Sequence, residues 1–175
     1  MFGSNQINAR LLRDYTSQDG QTLAALITEC DVLLVFLRHF GCAFCREAVS
    51  DLVERRGAIE SQGTRLAFVH LGSEEKAQWF FKPYGLLEVP RFSDPVGRLY
   101  EEFGLLRWNW RQYLNIESVF RLLSASLKGH RTGLPTEDIE RMPGVFQIRG
   151  GEVRKVFRHK LVSDRPDYLA LATAN

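Results

Sequence analysis

The stretch LLVFLRHFGCAFCREAVSDL, residues Leu33–Leu52, contains the junction that decides the fold. The short apolar run Val32–Leu37 is typical of a strand that is buried on both faces. From Cys42 onward the apolar residues recur at helical spacing, at Cys45, Ala48, Val49, Leu52 and Val53, with charged and polar residues between them. The stretch therefore predicts a buried strand that turns directly into an amphipathic helix and carries Cys42 and Cys45 at the turn.

The rest of the chain continues this alternation. The patterns predict helices over Thr22–Thr28, Glu74–Lys82 and the final RPDYLALATA, strands over Arg65–Gly72 and Val89–Phe92, and a hairpin of Val145–Ile148 and Val153–Phe157 around Gly150 and Gly151. In SDPVGRLYEEFG, Ser93 or Asp94 is expected to cap a helix with Pro95 in its first turn and Gly104 at its end. Strands that alternate with helices favour parallel pairing, and the hairpin adds antiparallel strands. We expect an α/β fold, a mixed central sheet with helices on both faces, in a single domain over residues 1–175.

Composition excludes several classes of protein. The 175 residues are 45% hydrophobic and 25% charged, which is typical of a globular protein. The net charge of +2 gives no reason to expect a nucleic-acid partner. The N-terminus lacks the pattern of a secretory signal, and no apolar run is long enough for stable membrane insertion. We expect a cytoplasmic protein, in which three cysteines do not indicate a structural disulfide framework.

The position of the two cysteines suggests chemistry. The unpaired N–H groups and the dipole at a helix N-terminus favour a thiolate over a thiol, so Cys42 is the expected nucleophile. Cys45 lies one turn further on the apolar side, close enough to form a disulfide with Cys42. Arg38, His39 and Arg46 are candidates to add positive charge around Cys42.

Two other interpretations of the pair stay open. Both cysteines could simply be buried in the core, or they could form half of a zinc site. No second CxxC or HxxxH motif accompanies them, because His70, His130 and His159 are scattered. A CxxC motif within a βαβ pattern favours redox chemistry over both alternatives.

Three segments resemble a known family. VFLRHFGCAFCREAVSDL resembles the active-site segment of peroxiredoxin-like proteins of the AhpC/TSA group, within the thioredoxin-like superfamily. FSDPVGRLYEEFGL resembles the peroxiredoxin segment that follows the third strand, and MPGVFQIRGGEV occupies the place of the cis-proline strand and hairpin. The resemblance runs from about residue 23 to 169 and implies a thioredoxin-like three-layer sandwich.

The resemblance implies roles for individual residues. Cys42 would attack a peroxide or a disulfide, and Cys45 would resolve the product as an intramolecular disulfide. An external dithiol of the thioredoxin, glutaredoxin or glutathione type would then reset the pair, with no bound cofactor. Some relatives reduce endoperoxides, which makes a lipid peroxide a candidate substrate. Pro143 would face the cysteines after a cis Met142–Pro143 bond, although on sequence alone it could simply end a loop.

One departure from the family pattern affects the expected activity. Typical peroxiredoxins carry a threonine three residues before the nucleophilic cysteine, and here that position is His39. The threonine-assisted peroxide pocket is therefore absent, while dithiol–disulfide exchange is unaffected. His39 is either a proton shuttle or a polar residue that leaves the strand end.

The remaining candidates lie further along the chain. Arg91 is a candidate to lower the pKa of the nucleophilic cysteine, as an arginine does in peroxiredoxins. Cys30 is interpreted as a buried bystander. The aromatic and basic insertion at about 105–134 includes Trp108. Its role stays open between a substrate wall, a partner surface, a membrane-surface helix, part of the core and a homodimer patch.

Two hypotheses follow. The chain is a thiol–disulfide oxidoreductase that acts on a peroxide or disulfide, or it is a non-enzymatic redox-sensing or interaction module in which the pair serves as a switch. Turnover that depends on Cys42 would distinguish them.

Overall fold

The computed structural model describes residues 7–105, 141–161 and 163–173, and these residues contain one five-stranded mixed sheet. The strands are β1 (Asp31–Phe36), β2 (Thr64–His70), β3 (Arg91–Ser93), β4 (Gly144–Arg149) and β5 (Glu152–Arg158). Their spatial order is β3-β2-β1-β4-β5. The pairs β1–β2 and β2–β3 are parallel, whereas β1–β4 and β4–β5 are antiparallel. The mixed sheet expected from the sequence is confirmed.

Helices cover both faces of this sheet. They are α1 (Ala9–Arg13), α2 (Leu23–Glu29), α3 (Ala43–Glu60), α4 (Glu74–Phe81), α5 (Arg98–Glu102) and α6 (Tyr168–Ala172), with a short 3₁₀ helix at Lys82–Tyr84. The layers are therefore helix, sheet and helix, as in the predicted three-layer sandwich.

The central strand β1 divides the core into two halves. Leu33 and Val35 face α3, α4 and α6, whereas Val32, Leu34 and Phe36 face α1, α2 and α5. All five side chains are at most 2% exposed, and burial of each contributes about 1.5–3 kcal/mol relative to exposure. The strand is thus held from both sides, and its end provides a fixed base for the cysteine turn.

The start of α5 differs from the prediction. The carboxylate of Asp94 accepts hydrogen bonds from the backbone N–H groups of Gly97, Arg98 and Leu99, but the helix begins only at Arg98. Pro95 lies in the preceding turn, because Gly97 has φ of +80° and interrupts the helical backbone between them. Gly104, at φ +65°, follows the end of α5 as predicted.

The insertion at about 105–134, including Trp108, lies outside the described residues apart from its first residue. Within the described ranges, the helices are too short or too polar to span a bilayer.

Candidate active site at the Cys42–Cys45 pair

Cys42 and Cys45 lie where β1 passes into α3. Strand β1 ends at Phe36, and a turn closed by a hydrogen bond from the backbone N–H of Cys42 to the carbonyl of His39, at 3.0 Å, leads into the helix. Cys42 is the N-cap residue of α3 with an extended backbone, and Cys45 lies in the first helical turn. Both cysteine side chains are free thiols, and each residue is only 4% exposed. The predicted placement at a helix N-terminus is confirmed.

The surroundings of Cys42 favour its thiolate. A hydrogen bond from the Cys45 thiol is the largest cause that lowers the pKa of Cys42, from 9.0 to about 6, against the opposing effect of burial. The Cys42 side chain makes no N-cap hydrogen bond. The backbone N–H groups of Phe44 and Cys45 nevertheless lie close enough to lower its pKa, as does the positive charge of Arg38. Helix N–H groups therefore contribute, but the neighbouring thiol contributes more.

Cys45 shows the opposite behaviour. Its pKa is raised well above 9.0, first because its thiol donates to Cys42 and second because it is buried. The backbone N–H of Arg38 donates to the Cys45 sulfur at 3.3 Å and opposes part of this shift. At neutral pH the pair therefore holds one proton, shared as a hydrogen bond from Cys45 to Cys42.

A small cavity borders the pair. Its free volume is about 30 Å³, room for one or two water molecules. The lining residues are Val35, Phe36, Leu37, Arg38, Cys42, Phe44, Cys45, Glu47, Ala48, Pro143, Val145, His159, Ser163, Asp164, Arg165 and Tyr168. Apolar and aromatic side chains make up half of this set, and charged groups of both signs lie among them.

The C-terminal part of the chain covers the cysteines from the other side. The guanidinium of Arg165 forms an ion pair with the buried carboxylate of Glu47, which lies in α3 two residues beyond Cys45. Arg165 also lies 3.7 Å from Asp51, one turn further along α3. This contact holds the segment before α6 against α3, so that the thiols are shielded from bulk solvent.

Pro143 lies where the resemblance implied, but its peptide bond does not have the implied geometry. Pro143 lines the cavity with both cysteines. The expected cis Met142–Pro143 bond is wrong, because the described part of the chain contains no cis peptide bond. The trans form is the intrinsically preferred state of an X-Pro bond.

Among the charged candidates, the structure brings Arg38 to the cavity and places the others elsewhere. Arg46 is half-buried, with its guanidinium 5.9 Å from the centre of the Phe80 ring. His39 is buried, and its contribution to the cysteine pair is a backbone hydrogen bond that lowers the pKa of Cys45. Neither side chain is among those that line the cavity.

Arg91 and Cys30 also lie away from the cavity. The Nε of Arg91 donates to the carboxylate of Glu74 at 2.9 Å, and a terminal nitrogen donates to the carbonyl of Leu87 at 2.8 Å. Cys30 follows the end of α2, packs against the opposite half of the core and is partly buried. Trp108 is outside the described residues.

Sequence reasoning missed several residues that the fold brings to the cysteines. Glu47, His159, Arg165 and Tyr168 are among those that line the cavity, as are Ser163 and Asp164, and all but Glu47 come from more than 100 residues further along the chain. No motif spacing marks them. The one usable signal was the hairpin, because pairing β5 with β4 brings the end of β5 beside Pro143.

Comparison with known proteins gives distant relatives. No protein-family model matches the chain. Prostamide/prostaglandin F synthase of Danio rerio is 28% identical over 103 residues, which cover 59% of this chain and only half of that protein. The protein of the same name from Salmo salar is 26% identical over 170 residues, covering 94% of this chain and 82% of that one.

Solved structures are closer in shape than in sequence. The bacterioferritin comigratory protein of Xanthomonas campestris superposes with a TM-score of 0.62 at 14% identity, over 87% of this chain and 85% of that one. Peroxiredoxin 6 of Arenicola marina gives a TM-score of 0.63 at 10% identity, over 90% and 66% of the two chains. The chain therefore has a thioredoxin-like fold of the kind found in peroxiredoxins.

Proposed function

We propose that the chain is a thiol-dependent oxidoreductase in which Cys42 attacks a peroxide or a disulfide and Cys45 resolves the product. The observation that carries this proposal is the placement of two free cysteines at the start of α3, both lining one cavity, with Cys45 hydrogen-bonded to Cys42 so that the pKa of Cys42 is lowered. A core cysteine without a reactive role normally has a raised pKa, because burial disfavours the thiolate.

The reaction with a peroxide proceeds in three steps. The Cys42 thiolate attacks the terminal oxygen and breaks the O–O bond, so that Cys42 becomes a sulfenic acid and the alkoxide takes a proton from water to leave as an alcohol. Cys45 then attacks the Cys42 sulfur, which forms the disulfide and releases water after transfer of the Cys45 proton. An external dithiol reduces the disulfide, becomes oxidised itself and restores both thiols.

The geometry favours a small or narrow substrate for the first step. With each cysteine 4% exposed, a folded protein disulfide reaches Cys42 only if the covering segment moves aside. The cavity beside Arg38 and Phe44 has room for one or two water molecules, so it can admit a peroxide group, and the carbon chain of a larger peroxide needs the covering segment to move aside. The relatives are named prostamide/prostaglandin F synthase, and prostaglandins are lipids. This supports a lipid peroxide as the more specific candidate substrate.

Three serine variants test the proposal. Consumption of hydrogen peroxide, a lipid hydroperoxide and a protein disulfide should be measured with an excess of dithiol reductant. Cys42→Ser should abolish consumption, and Cys45→Ser should accumulate a sulfenic acid or a mixed disulfide on Cys42. Cys30→Ser is the matched control and should turn over normally, because Cys30 lies on the other side of the sheet. Normal turnover by Cys42→Ser would refute the proposal.

A redox-sensing module is the second candidate, and the burial of both sulfurs favours it. A shielded pair suits a single oxidation event that repacks its surroundings more than it suits rapid exchange with reductants. Stoichiometric oxidation to the Cys42–Cys45 disulfide without turnover in the same assay would support the sensor. We further propose a cytoplasmic location, a thiol reductant protein as partner and no nucleic-acid partner, supported by the three free thiols and the small net charge.

A further inference from the structure

Part of the wall of the cysteine cavity belongs to no helix or strand. It is formed by residues 163–167, directly before α6, and we call this segment the strap. Ser163, Asp164 and Arg165 of the strap line the cavity, together with Phe44 and Glu47 of α3. The strap therefore lies between the cysteines and the solvent on this side of the molecule.

Helix α6, which follows the strap, is anchored to the sheet. Tyr168 and Ala172 are both buried in the half of the core that faces α3. The carbonyl of Ala172 accepts hydrogen bonds from Oγ1 of Thr64 on β2, at 3.0 Å, and from Nε2 of Gln147 on β4, at 3.2 Å. A movement of the strap therefore does not require α6 to leave the sheet.

The strap is held against α3 by charge. The guanidinium of Arg165 pairs with the carboxylate of Glu47 and lies 3.7 Å from that of Asp51. By contrast, the carboxylates of Asp164 and Asp167 make local hydrogen bonds that do not cross the cavity. The contact between Arg165 and α3 is therefore one that must break when the strap moves away from the cysteines.

The two members of this ion pair differ in exposure. The side chain of Glu47 is 9% exposed, whereas that of Arg165 is 40% exposed. The guanidinium can therefore turn into water at little cost in hydration. The buried carboxylate would then lose a neighbouring positive charge, so the closed arrangement is the favoured one.

The closed cavity admits only very small molecules. Its free volume is about 30 Å³, and Cys42 and Cys45 are each only 4% exposed. Hydrogen peroxide, with its two oxygen atoms, is close in size to the one or two water molecules for which there is room. A peroxide that carries a hydrocarbon group is larger than this space and needs the strap to move.

We propose that the ion pair of Glu47 and Arg165 is a latch that selects peroxides by size before they reach Cys42. Hydrogen peroxide enters while the latch is closed. A larger peroxide reacts only in molecules whose latch is open, so its rate is reduced in proportion to the open fraction. The inference rests on the proposed function and assigns its selectivity to two residues that control access rather than contact the reacting atoms.

The main test measures access to Cys42 without turnover. In a Cys30→Ser background, Cys42 is alkylated by N-methylmaleimide or by the much larger N-pyrenylmaleimide, which carries the same reactive group. A change in the pKa of Cys42 alters both rates by the same factor, so the ratio of the pyrenyl rate to the methyl rate reports access to the sulfur. Arg165→Met should raise this ratio about tenfold, between the effects of losing an exposed and a buried ion pair.

Arg154→Met is the matched control. Arg154 is also an exposed arginine in an ion pair, with Glu152 at 2.8 Å, but it lies on β5 and does not line the cavity. Its substitution removes the same charge and should leave the ratio unchanged. A ratio in Arg165→Met no higher than in Arg154→Met would overturn the inference. Glu47→Gln removes the other half of the latch and should raise the ratio as well. If this buried variant does not fold, the result with Arg165→Met, whose side chain is largely at the surface, still decides.

The same variants connect the latch with the reaction. The rate of Cys42 oxidation by cumene hydroperoxide, divided by the rate with hydrogen peroxide, should rise about tenfold in Arg165→Met and stay constant in Arg154→Met. An unchanged peroxide ratio in Arg165→Met would overturn the inference and leave the proposed function standing. A wild-type chain that turns over no peroxide and no disulfide would instead overturn the proposed function, whereas the maleimide ratio reports on the latch in either case.

Discussion

Cys30 and Cys42 lie at opposite kinds of helix end. Cys30 follows the last residue of α2, and its thiol donates to the carbonyl of Leu26 at 3.3 Å. Burial is the largest cause that raises its pKa, with the acidic neighbours Glu29 and Asp31 adding to it and Arg65 opposing it. Cys42 precedes the first residue of α3 and has a lowered pKa. One residue type thus takes two protonation states, twelve residues apart.

The difference teaches that a helix end favours one protonation state of a thiol, and that burial and the neighbouring groups decide whether this state prevails. Free carbonyl groups at a helix C-terminus accept a hydrogen bond from a thiol and so favour its protonated form. Free N–H groups at a helix N-terminus donate hydrogen bonds and so favour a thiolate. Burial raises both pKa values, and Cys42 overcomes it only because the Cys45 thiol and Arg38 also favour its charged form. A helix N-terminus alone would leave the buried Cys42 much less ionised.

The largest expected effect is the difference in thiolate content between the two cysteines. At pH 7, about 90% of Cys42 and under about 1% of Cys30 should be ionised, a ratio on the order of 100. Absorbance at 240 nm during a pH titration measures the thiolate directly. Cys30→Ser should retain the transition near pH 6, and Cys42→Ser should lose it. A transition near pH 6 that survives in Cys42→Ser would break the comparison.

The next effect isolates the neighbouring thiol. Cys45→Ala removes the largest cause of the lowered pKa of Cys42 and should raise that pKa by more than one unit, a change of more than tenfold in the ionisation constant. Cys45→Ser keeps a hydroxyl donor at the same position and should raise it less. The same titration checks both variants, and equal midpoints for the two would show that hydrogen bonding from residue 45 is unimportant.

A smaller effect is expected from the charge beside Cys42. Arg38→Met preserves much of the side-chain volume and removes the positive charge, so the pKa of Cys42 should rise by about one unit or less. Arg65→Met is the matched control, because Arg65 acts on Cys30 and not on Cys42. A shift of the Cys42 transition in Arg65→Met of the same size would mean that net charge, not position, controls the pKa.

The local part of this site could be predicted from sequence, because it depends on neighbours in the chain. The apolar run and the change of period at Cys42 placed both cysteines at the start of α3, and the structure agrees within one or two residues. The direction of the Arg38 side chain could not be predicted, since a residue just beyond a strand can point to either face. Arg91 was a candidate by resemblance, but Glu74 holds it elsewhere.

The distant part of the site depends on a register that the sequence does not display. A plain two-residue turn at Gly150–Gly151 would pair His159 with Met142. A β-bulge between Gln147 and Ile148 shifts the pairing by one residue and sets His159 beside Pro143 instead. A shift of one residue exchanges the two faces of a strand, so the cavity lining could not be read from alternation alone. The short α1 was also missed, as its five residues carry too little periodicity.

The smallest expected effect is on stability. Cys42 ionises more readily in the folded chain, so between about pH 6 and 9 the unfolded chain binds more protons and the free energy of unfolding rises with pH. The contribution is complete above pH 9 and is lost as the pH falls through 6. From pH 7 to 8 the rise in the free energy of unfolding due to Cys42 should be about 1 kcal/mol. In this pH range His70 and His159 are neutral in the folded chain. Urea unfolding under reducing conditions should show this rise in Cys30→Ser and a flatter dependence in Cys42→Ser. An equal rise in the two variants would mean that the folded chain does not stabilise the Cys42 thiolate, and the contrast between the two helix ends would then have no energetic consequence.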